Sequence, residues 1–434
     1  MQQLQVRSEN RTLYDHASAA EFNDHRWQDK NSVARFKQLE ALLEGLIAPS
    51  LLDEIGAGLS KVGMSIRLTP YIMSLIDWRN ADTDPIRRQF LPMLSEQEAD
   101  HPCLAVDSLG ERETSPVPSL VHRYPDKVLF LVTSVCPVYC QYCTRSYAVG
   151  QDTLLVQKDH VTSARNWEAA FDYIRAHPEI EDIVISGGDV ARLKPANIRL
   201  LGNTLLEIEH VRRLRFATKA LSVQPMKFLS DDDWFQAIVE VVEYGRSMFK
   251  DVCVHTHFNH PNEITPLVEQ AMRRLHNEGV YVRNQAVLLR GVNDDTDTLI
   301  KLFRGLGRMN IHPYYVYLCD MVMGTEHFRV PLSTAQELEK TVRGTTAGFN
   351  TPLFVVDAPG GGGKRDVHSA EFQEVEFGIS GFRSPAVDPL RMYHYFDPLR
   401  SLGQAAREAW KMPGSKDQIM AKLGYQSRTA TAVA

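Results

Sequence analysis

Cysteine is scarce in this chain. Six in 434 residues are too few for a disulfide framework at this length, so a reducing cytoplasm is the expected setting, where grouped thiols point to metal or redox chemistry. No apolar run approaches the ~18 residues needed to cross a bilayer. Residues 1–16 lack the cationic start and apolar core of a secretory leader, so none is expected. There is no long basic run, and the formal net charge is −6, which argues against a nucleic-acid partner. Internal repeats and extended low-complexity tracts are also missing. What remains is ordinary for a soluble globular protein: 44% hydrophobic and 24% charged residues, in a chain long enough for two or three structural units around a large core.

The texture of the chain changes once. The first ~120 residues read as helical and irregular, with apolar residues at helical spacing in "RFKQLEALLEGLI" and a buried segment beside a proline in "LTPYIMSLIDW". After "TSPVPS", short β-branched runs alternate with amphipathic stretches of ~10–15 residues. The runs are "KVLFLVTSV", "EDIVISGGD", "RLRFATK", "DVCVHTHFN", "VYVRNQAVLL", "HPYYVYLCD" and "PLFVVDAPGG"; helix candidates between them include "SARNWEAAFDYIRAH", "TPLVEQAMRRLHNEG" and "STAQELEKTVRG". Strands alternating with helices imply βαβ units, a parallel sheet and a full or partial β/α barrel. Its chemistry belongs at the C-terminal ends of the strands, where the conspicuous polar residues fall. After "GGGGK" the alternation dissolves, and "SRTATAVA" reads as a frayed tail.

Half of the scarce cysteines fall in "CPVYCQYC", as Cys136, Cys140 and Cys143, directly after an apolar strand. Three thiolates suit a soft metal centre. A structural zinc site closes with four ligands, and His255, His257 and His260 in "HTHFNH" are the available fourth ligands, although they belong to a different β/α unit. A [4Fe–4S] cluster normally takes four cysteines; held by three, it leaves one iron open to a small molecule. The second unusual stretch is "VVDAPGGGGKRD". It fails as a phosphate loop, because Ala358 occupies the first glycine position and Arg365 follows Lys364 where Ser or Thr is required. A lysine presented by four glycines at a strand end is better read as the amine that forms an imine with pyridoxal phosphate (PLP).

The cysteine spacing is that of the radical S-adenosylmethionine (SAM) superfamily, in which SAM chelates the open iron and is cleaved to a 5′-deoxyadenosyl radical. "ISGGD" resembles the glycine-rich strand end that contacts SAM, which implies cofactor-binding roles for Ser186, Gly187, Gly188 and Asp189. With "HFNHPNE", "NQAVLLRGVND", "YYVYLCD" and "DAPGGGGK" following in order, the chain resembles lysine 2,3-aminomutase over about residues 20 to 370. "NDHRWQ", "LTPYIMSLID" and "HRYPDKVLFLVT" extend the likeness. It implies an α/β fold: a partial (β/α)6-type radical SAM barrel at residues 121–365, a helical region at 1–120 and an extension at 366–434. Matched position by position, Cys136, Cys140 and Cys143 are the cluster ligands and Lys364 the PLP lysine. His257 and Gln285 match SAM contacts, Arg123 and Tyr124 match residues near the PLP phosphate, and Tyr317 lies close to the cofactors. Arg145 matches the partner of the substrate carboxylate, and Asp320 and Asp357 match the carboxylates that hold the distal ammonium. The implied reaction is the interconversion of L-lysine and L-β-lysine. The expected partners are a small basic amino acid, a one-electron reductant of the flavodoxin or ferredoxin type and a second copy of the chain.

Some positions depart from the family pattern. Ser146 and Tyr147 follow Thr144-Arg145 where further basic residues are frequent. Ala217-Thr218-Lys219 replaces a Gly-Ser/Thr-Arg stretch, and Lys127 stands where Arg is common and loses the bidentate fork. No cysteine follows Cys319, so the C-terminal zinc site of some members is not expected. The same chemistry on arginine is the alternative substrate reading. β-Lysine made for attachment to a translation factor is an alternative role, and a non-catalytic iron–sulfur protein is an alternative of a different class.

Overall fold

The computed structural model describes residues 13–159 and 166–424; the tail expected at 427–434 and most of the stretch read for a leader lie outside them. All seven apolar runs are strands. An antiparallel strand precedes them, β1 (Leu120–Tyr124), and the runs themselves supply β2 (Lys127–Thr133), β3 (Asp182–Gly187) and β4 (Arg213–Ala217). They continue with β5 (Asp251–Thr256), β6 (Tyr281–Leu288), β7 (Ile311–Leu318) and β8 (Leu353–Ala358). A short return strand, β9 (Gly363–Asp366), completes one nine-stranded sheet whose spatial order is the chain order. From β2 to β8 every pairing is parallel, and β1 and β9 run antiparallel at the two edges. The architecture is an α/β barrel that is nearly closed, with seven parallel strands. The two edges meet where the Tyr124 hydroxyl on β1 accepts the Lys364 N–H of β9 at 2.7 Å.

Continuous β-branched and aromatic runs suit strands covered on both faces. Outward-facing Phe130, Ile183, Ile185, Leu214, Phe216 and Val254 are buried against the helices Trp167–Ala176, Pro195–Leu206 and Asp232–Ser247 in the main core. Asp231, Thr265 and Asp295 cap the helices Asp232–Ser247, Pro266–Asn277 and Thr296–Arg308 by accepting a backbone N–H with their side chains. A second core gathers Leu39, Leu43, Ile55, Tyr71, Ile72 and Phe90 from the N-terminal helices. It also takes in Val138 of the cysteine loop and Val223 and Met226 beyond β4. The helical region therefore packs on the loops at the C-terminal ends of the strands.

The C-terminal segment is more ordered than its sequence texture implies. Strands β10 (Phe372–Glu374), β11 (Ile379–Ser384) and β12 (Asp388–Phe396) form an antiparallel sheet, followed by the helices Gln404–Trp410 and Ser415–Lys422. Much of β12 is exposed, so it lacks the continuous apolar run by which the barrel strands are recognised. Trp410 and Tyr395 join the main core and donate to the Phe377 and Val330 carbonyls at 3.0 Å.

Two turns need glycine in particular. Gly187, at φ 103°, ends β3 so close to β2 that a Cβ would lie 2.4 Å from the Thr133 carbonyl oxygen. Gly363, at φ 73°, would place a Cβ 2.4 Å from the Tyr124 hydroxyl. The β8–β9 turn thereby sets Lys364 directly opposite Asp357 in the ladder.

Candidate active site

The C-terminal strand ends surround a cavity of about 560 Å³, and every site residue expected from sequence lines it. The cysteine loop follows β2 and is pinned by neighbours far away in sequence: Tyr139 N–H to the Arg67 carbonyl at 3.1 Å, Gln141 N–H to the Gln89 carbonyl at 2.9 Å. The Lys158 ammonium donates to the Gly63 and Ser146 carbonyls beneath it. Burial pushes the Cys140 thiol up to about 12 and raises those of Cys136 and Cys143. Iron would reverse this, because a bound cation favours the thiolate. Among the described residues, no three His, Cys, Asp or Glu side chains converge closely enough for a single metal ion. A donor set made of three thiols is soft, as an iron–sulfur cluster requires.

Beside the cysteines, β3 to β6 build a polar wall. Asp189 is buried, and its carboxylate accepts from Ala191 N–H at 2.8 Å, Thr218 Oγ1 at 2.6 Å and Lys219 N–H at 2.6 Å. It braces the Gly187–Gly188 turn against the Ala217-Thr218-Lys219 stretch. Lys219 continues the brace, giving its ammonium to the His257 carbonyl at 2.8 Å and to buried Glu263 at 3.0 Å. His257 donates from Nδ1 to the Gln285 carbonyl, while Tyr142 (2.9 Å) and Asn259 (3.2 Å) lie on Nε2. Burial and then Lys219 hold its pKa well below the ordinary value, so the ring is neutral. Gln285 gives its amide N–H to His255 at 3.0 Å. Ser186 and Gly188 line the cavity beside them.

On the opposite side, Lys364 lies 3.7 Å from Asp357 and stands over the rings of Tyr124 and Tyr317 at 5.6 and 5.7 Å. Burial, then Asp357, lifts the Tyr317 phenol well above its ordinary value and keeps it neutral. Arg123 pairs with Asp357 at 3.1 Å and with the Leu109 carbonyl at 3.1 Å, so in this structure it serves the carboxylate. Arg145 pairs with Glu111 at 2.8 Å, and the Tyr147 hydroxyl takes the other Glu111 oxygen at 2.8 Å. Thr144 donates to Oδ2 of Asp320. Burial and then the nearby Asp357 charge push Asp320 up to about 7.

Among the described residues that line this cavity, five carry a buried polar atom with no partner: Nε of Arg123, Nε of Arg145, Nε2 of His255, Oγ1 of Thr256 and Oδ1 of Asp320. Buried polar groups are normally bonded, so this set describes the ligands the cavity takes. The two guanidinium groups and the imidazole call for anionic groups, the Asp320 oxygen calls for a cation, and the Thr256 hydroxyl can serve either. The residues present also fit a PLP cofactor, with an amine on a glycine turn, two phenols beside it and guanidinium groups within the same cavity.

Sequence reasoning missed Glu111, Thr144, Tyr142, Asn259 and Glu263 as parts of the site. Glu111 sits in a loop with no motif around it. Thr144 adjoins Cys143, but nothing local announces Asp320 as its partner.

The chain is 37% identical over 360 residues to L-lysine 2,3-aminomutase of Clostridium subterminale, covering 82% of this chain and 80% of that protein. The chain belongs to the lysine 2,3-aminomutase family. It is an isomerase, an aminomutase by family. L-lysine 2,3-aminomutase of Bacillus subtilis is 37% identical over 352 residues, covering 81% of this chain and 70% of that protein. Another relative in the aminomutase family, glutamate 2,3-aminomutase of Clostridioides difficile, is 33% identical over 346 residues, with coverage of 79% and 76%. No family model matches the chain. Among solved structures, a radical SAM methyltransferase from Sphaerobacter thermophilus gives a TM-score of 0.37 at 19% identity, over 55% of this chain and 68% of that one. Among the described residues, no helix is long and apolar enough to cross a membrane.

Proposed function

We propose that this aminomutase interconverts L-lysine and L-β-lysine with a [4Fe–4S] cluster, SAM and PLP. When bound, the cluster with SAM supplies hydrogen-atom abstraction, and PLP supplies a carrier for the migrating nitrogen. Cys136, Cys140 and Cys143 hold the cluster. Ser186, Gly187, Gly188, His257 and Gln285 frame SAM, with Asp189 bracing that wall. Lys364 anchors PLP, with Arg123, Tyr124 and Tyr317 around it.

The observation that carries the substrate assignment is Asp320. A buried carboxylate with one oxygen unpartnered, beside a second carboxylate at Asp357, is costly without a cation. A distal ammonium relieves that cost. At the other end Arg145, held by Glu111, keeps a buried Nε–H free for an α-carboxylate. A compact ammonium can sit between two carboxylates, whereas a guanidinium needs more length and a planar fork, so lysine is favoured over arginine. Glutamate, the substrate named for one relative, would bring a negative end group against Asp320 and Asp357.

The same reading assigns the protein to the cytoplasm as a homo-oligomer with a flavodoxin- or ferredoxin-type reductant, and divides it at residues 1–120, 121–365 and 366–434. The test is an anaerobic assay of the reconstituted enzyme on L-lysine, L-arginine, L-glutamate and L-alanine. Lysine should give the highest kcat/KM, and glutamate and alanine should be poor substrates. Efficient turnover of either overturns the assignment.

A further inference from the structure

Residues 152–159 return across the cysteine loop and strap it. The Asp159 N–H bonds the Tyr147 carbonyl at 2.7 Å, and Arg112 pairs with Asp159 at 2.6 Å while standing over the Tyr147 ring at 5.1 Å. Lys158 turns inward from this strap and is 5% exposed. Its ammonium donates to the Gly63 carbonyl at 2.5 Å and to the Ser146 carbonyl. The Ser146 N–H in turn bonds the Cys143 carbonyl at 3.1 Å, so the charge is held at the turn that carries the third cysteine.

The other charges that act on the three thiols are matched. Arg145, beside Cys143, pairs with Glu111 at 2.8 Å, and Lys219, which acts on Cys140, pairs with Glu263 at 3.0 Å. Cys136 feels both Asp189 and Arg67. Lys158 acts on Cys143 without such a match. Among the described residues its ammonium bonds carbonyl oxygens alone and pairs with no carboxylate. Asp152 accepts the Lys158 backbone N–H at 2.8 Å but is exposed, where water screens its charge. Burial brings the ammonium down to about 8, against the pull of Cys143 and Asp152, so it stays charged at neutral pH. Ser146 and Tyr147 stand at positions that are frequently basic in the family. Here the cation reaches the loop from outside it.

We propose that Lys158 sets the reduction potential of the cluster held by Cys136, Cys140 and Cys143, favouring its reduced form. The proposal rests on the reading of those cysteines as cluster ligands. A [4Fe–4S] core with two positive charges, bound by three thiolates, carries one net negative charge, and the electron that reduces it makes that two. A fixed cation nearby therefore stabilises the reduced state more than the oxidised one, most strongly where burial limits screening. A neutral donor would satisfy the two carbonyls equally well; what the ammonium adds is charge.

The experiment is a mediated dithionite titration of cluster-containing protein without SAM or substrate, with the reduced cluster followed by EPR and iron counted in each sample. Lys158→Gln keeps a donor for the Gly63 and Ser146 carbonyls and removes the charge. It should hold the iron of wild type and lose about tenfold in the equilibrium for reduction, a potential lower by about 59 mV. Lys158→Arg keeps the charge and should stay within about threefold of wild type. An iron-loaded Gln variant within about threefold of wild type overturns the proposal. A Gln variant that folds but takes up no iron also overturns it, and leaves Lys158 a clamp on the loop. If Lys158→Gln does not fold, Lys158→Arg carries the test: wild-type iron and potential support the charge, and a loss of about tenfold overturns it. Wild type that takes up no iron removes the cluster reading and this proposal together, whereas an unchanged potential in an iron-loaded variant removes this proposal alone.

Discussion

Replacing Asp320 by Asn should weaken catalysis and strengthen the empty protein. The carboxyl is buried, receives one hydroxyl from Thr144 and leaves Oδ1 without a partner. Burial and Asp357 raise it from the ordinary 3.8 to about 7. The folded value lies above the unfolded one, so the contribution of this group to stability is greatest below the ordinary carboxylate range. It is lost as pH rises from about 4 through about 7. The ceiling on that loss is about 4 kcal/mol, three pKa units at 1.36 kcal/mol each. The new amide must still find partners in the same pocket, so Asp320→Asn should gain about 1–2 kcal/mol at pH 8, a rise in Tm of roughly 1–2 °C for a chain of this size. Catalysis should move the other way. Truncating one member of a buried charge pair costs about 2–5 kcal/mol, and ionising Asp320 near neutrality already consumes part of the gain from pairing. A loss of about 2–3 kcal/mol, roughly 30- to 150-fold in kcat/KM for lysine, is expected. In wild type kcat/KM should climb with pH through about 7 as the carboxylate forms, and this limb should vanish in the variant. Scanning calorimetry of the empty protein and anaerobic pH–rate profiles make the measurement. A variant within threefold of wild type on lysine, or one with a lower Tm and an unchanged pH limb, would refute the reasoning.

Other outcomes follow from the same geometry. Cys140→Ala should lose iron and all turnover after anaerobic reconstitution, as read by iron analysis and by the EPR signal that SAM perturbs in wild type; full activity would remove the cluster assignment. Lys364→Arg should abolish the borohydride-trapped PLP adduct while keeping wild-type iron content, and a trapped adduct on another lysine would reassign the anchor. Glu111→Gln should raise KM for lysine about tenfold, because Arg145 loses its charged partner at 2.8 Å, with cluster and PLP spectra intact. An unchanged KM would show that Glu111 does not position Arg145.

Much of the barrel was legible because its strands carry short β-branched, apolar runs and its reactive residues cluster at their ends. "KVLFLVT" and "DIVISG" announce themselves as β2 and β3 without any partner being known. Cys136, Cys140, Cys143 and Lys364 were legible for a related reason, since each stands in a short stretch whose composition has no structural excuse. The return strand β9 was not, because four residues after a glycine turn become a strand only by pairing with β8. Glu111 and Lys158 were hidden in the same way. Each is a charged residue in ordinary surroundings, and its meaning lies in a partner reached across the fold. The antiparallel sheet β10–β12 escaped because β10 is only three residues long and the first half of β12 is exposed.

Asp357 and Lys364 are ladder partners across the glycine turn, and side chains alternate faces along a strand. Removing or adding one residue between them would shift β9 by a single step and turn the amine to the outer face of the sheet. Glycine-rich surface turns ordinarily absorb such length changes. This one would have to keep its length through evolutionary drift, even where individual glycines are exchanged. A one-residue deletion there should read as a loss of cofactor attachment in an otherwise folded protein.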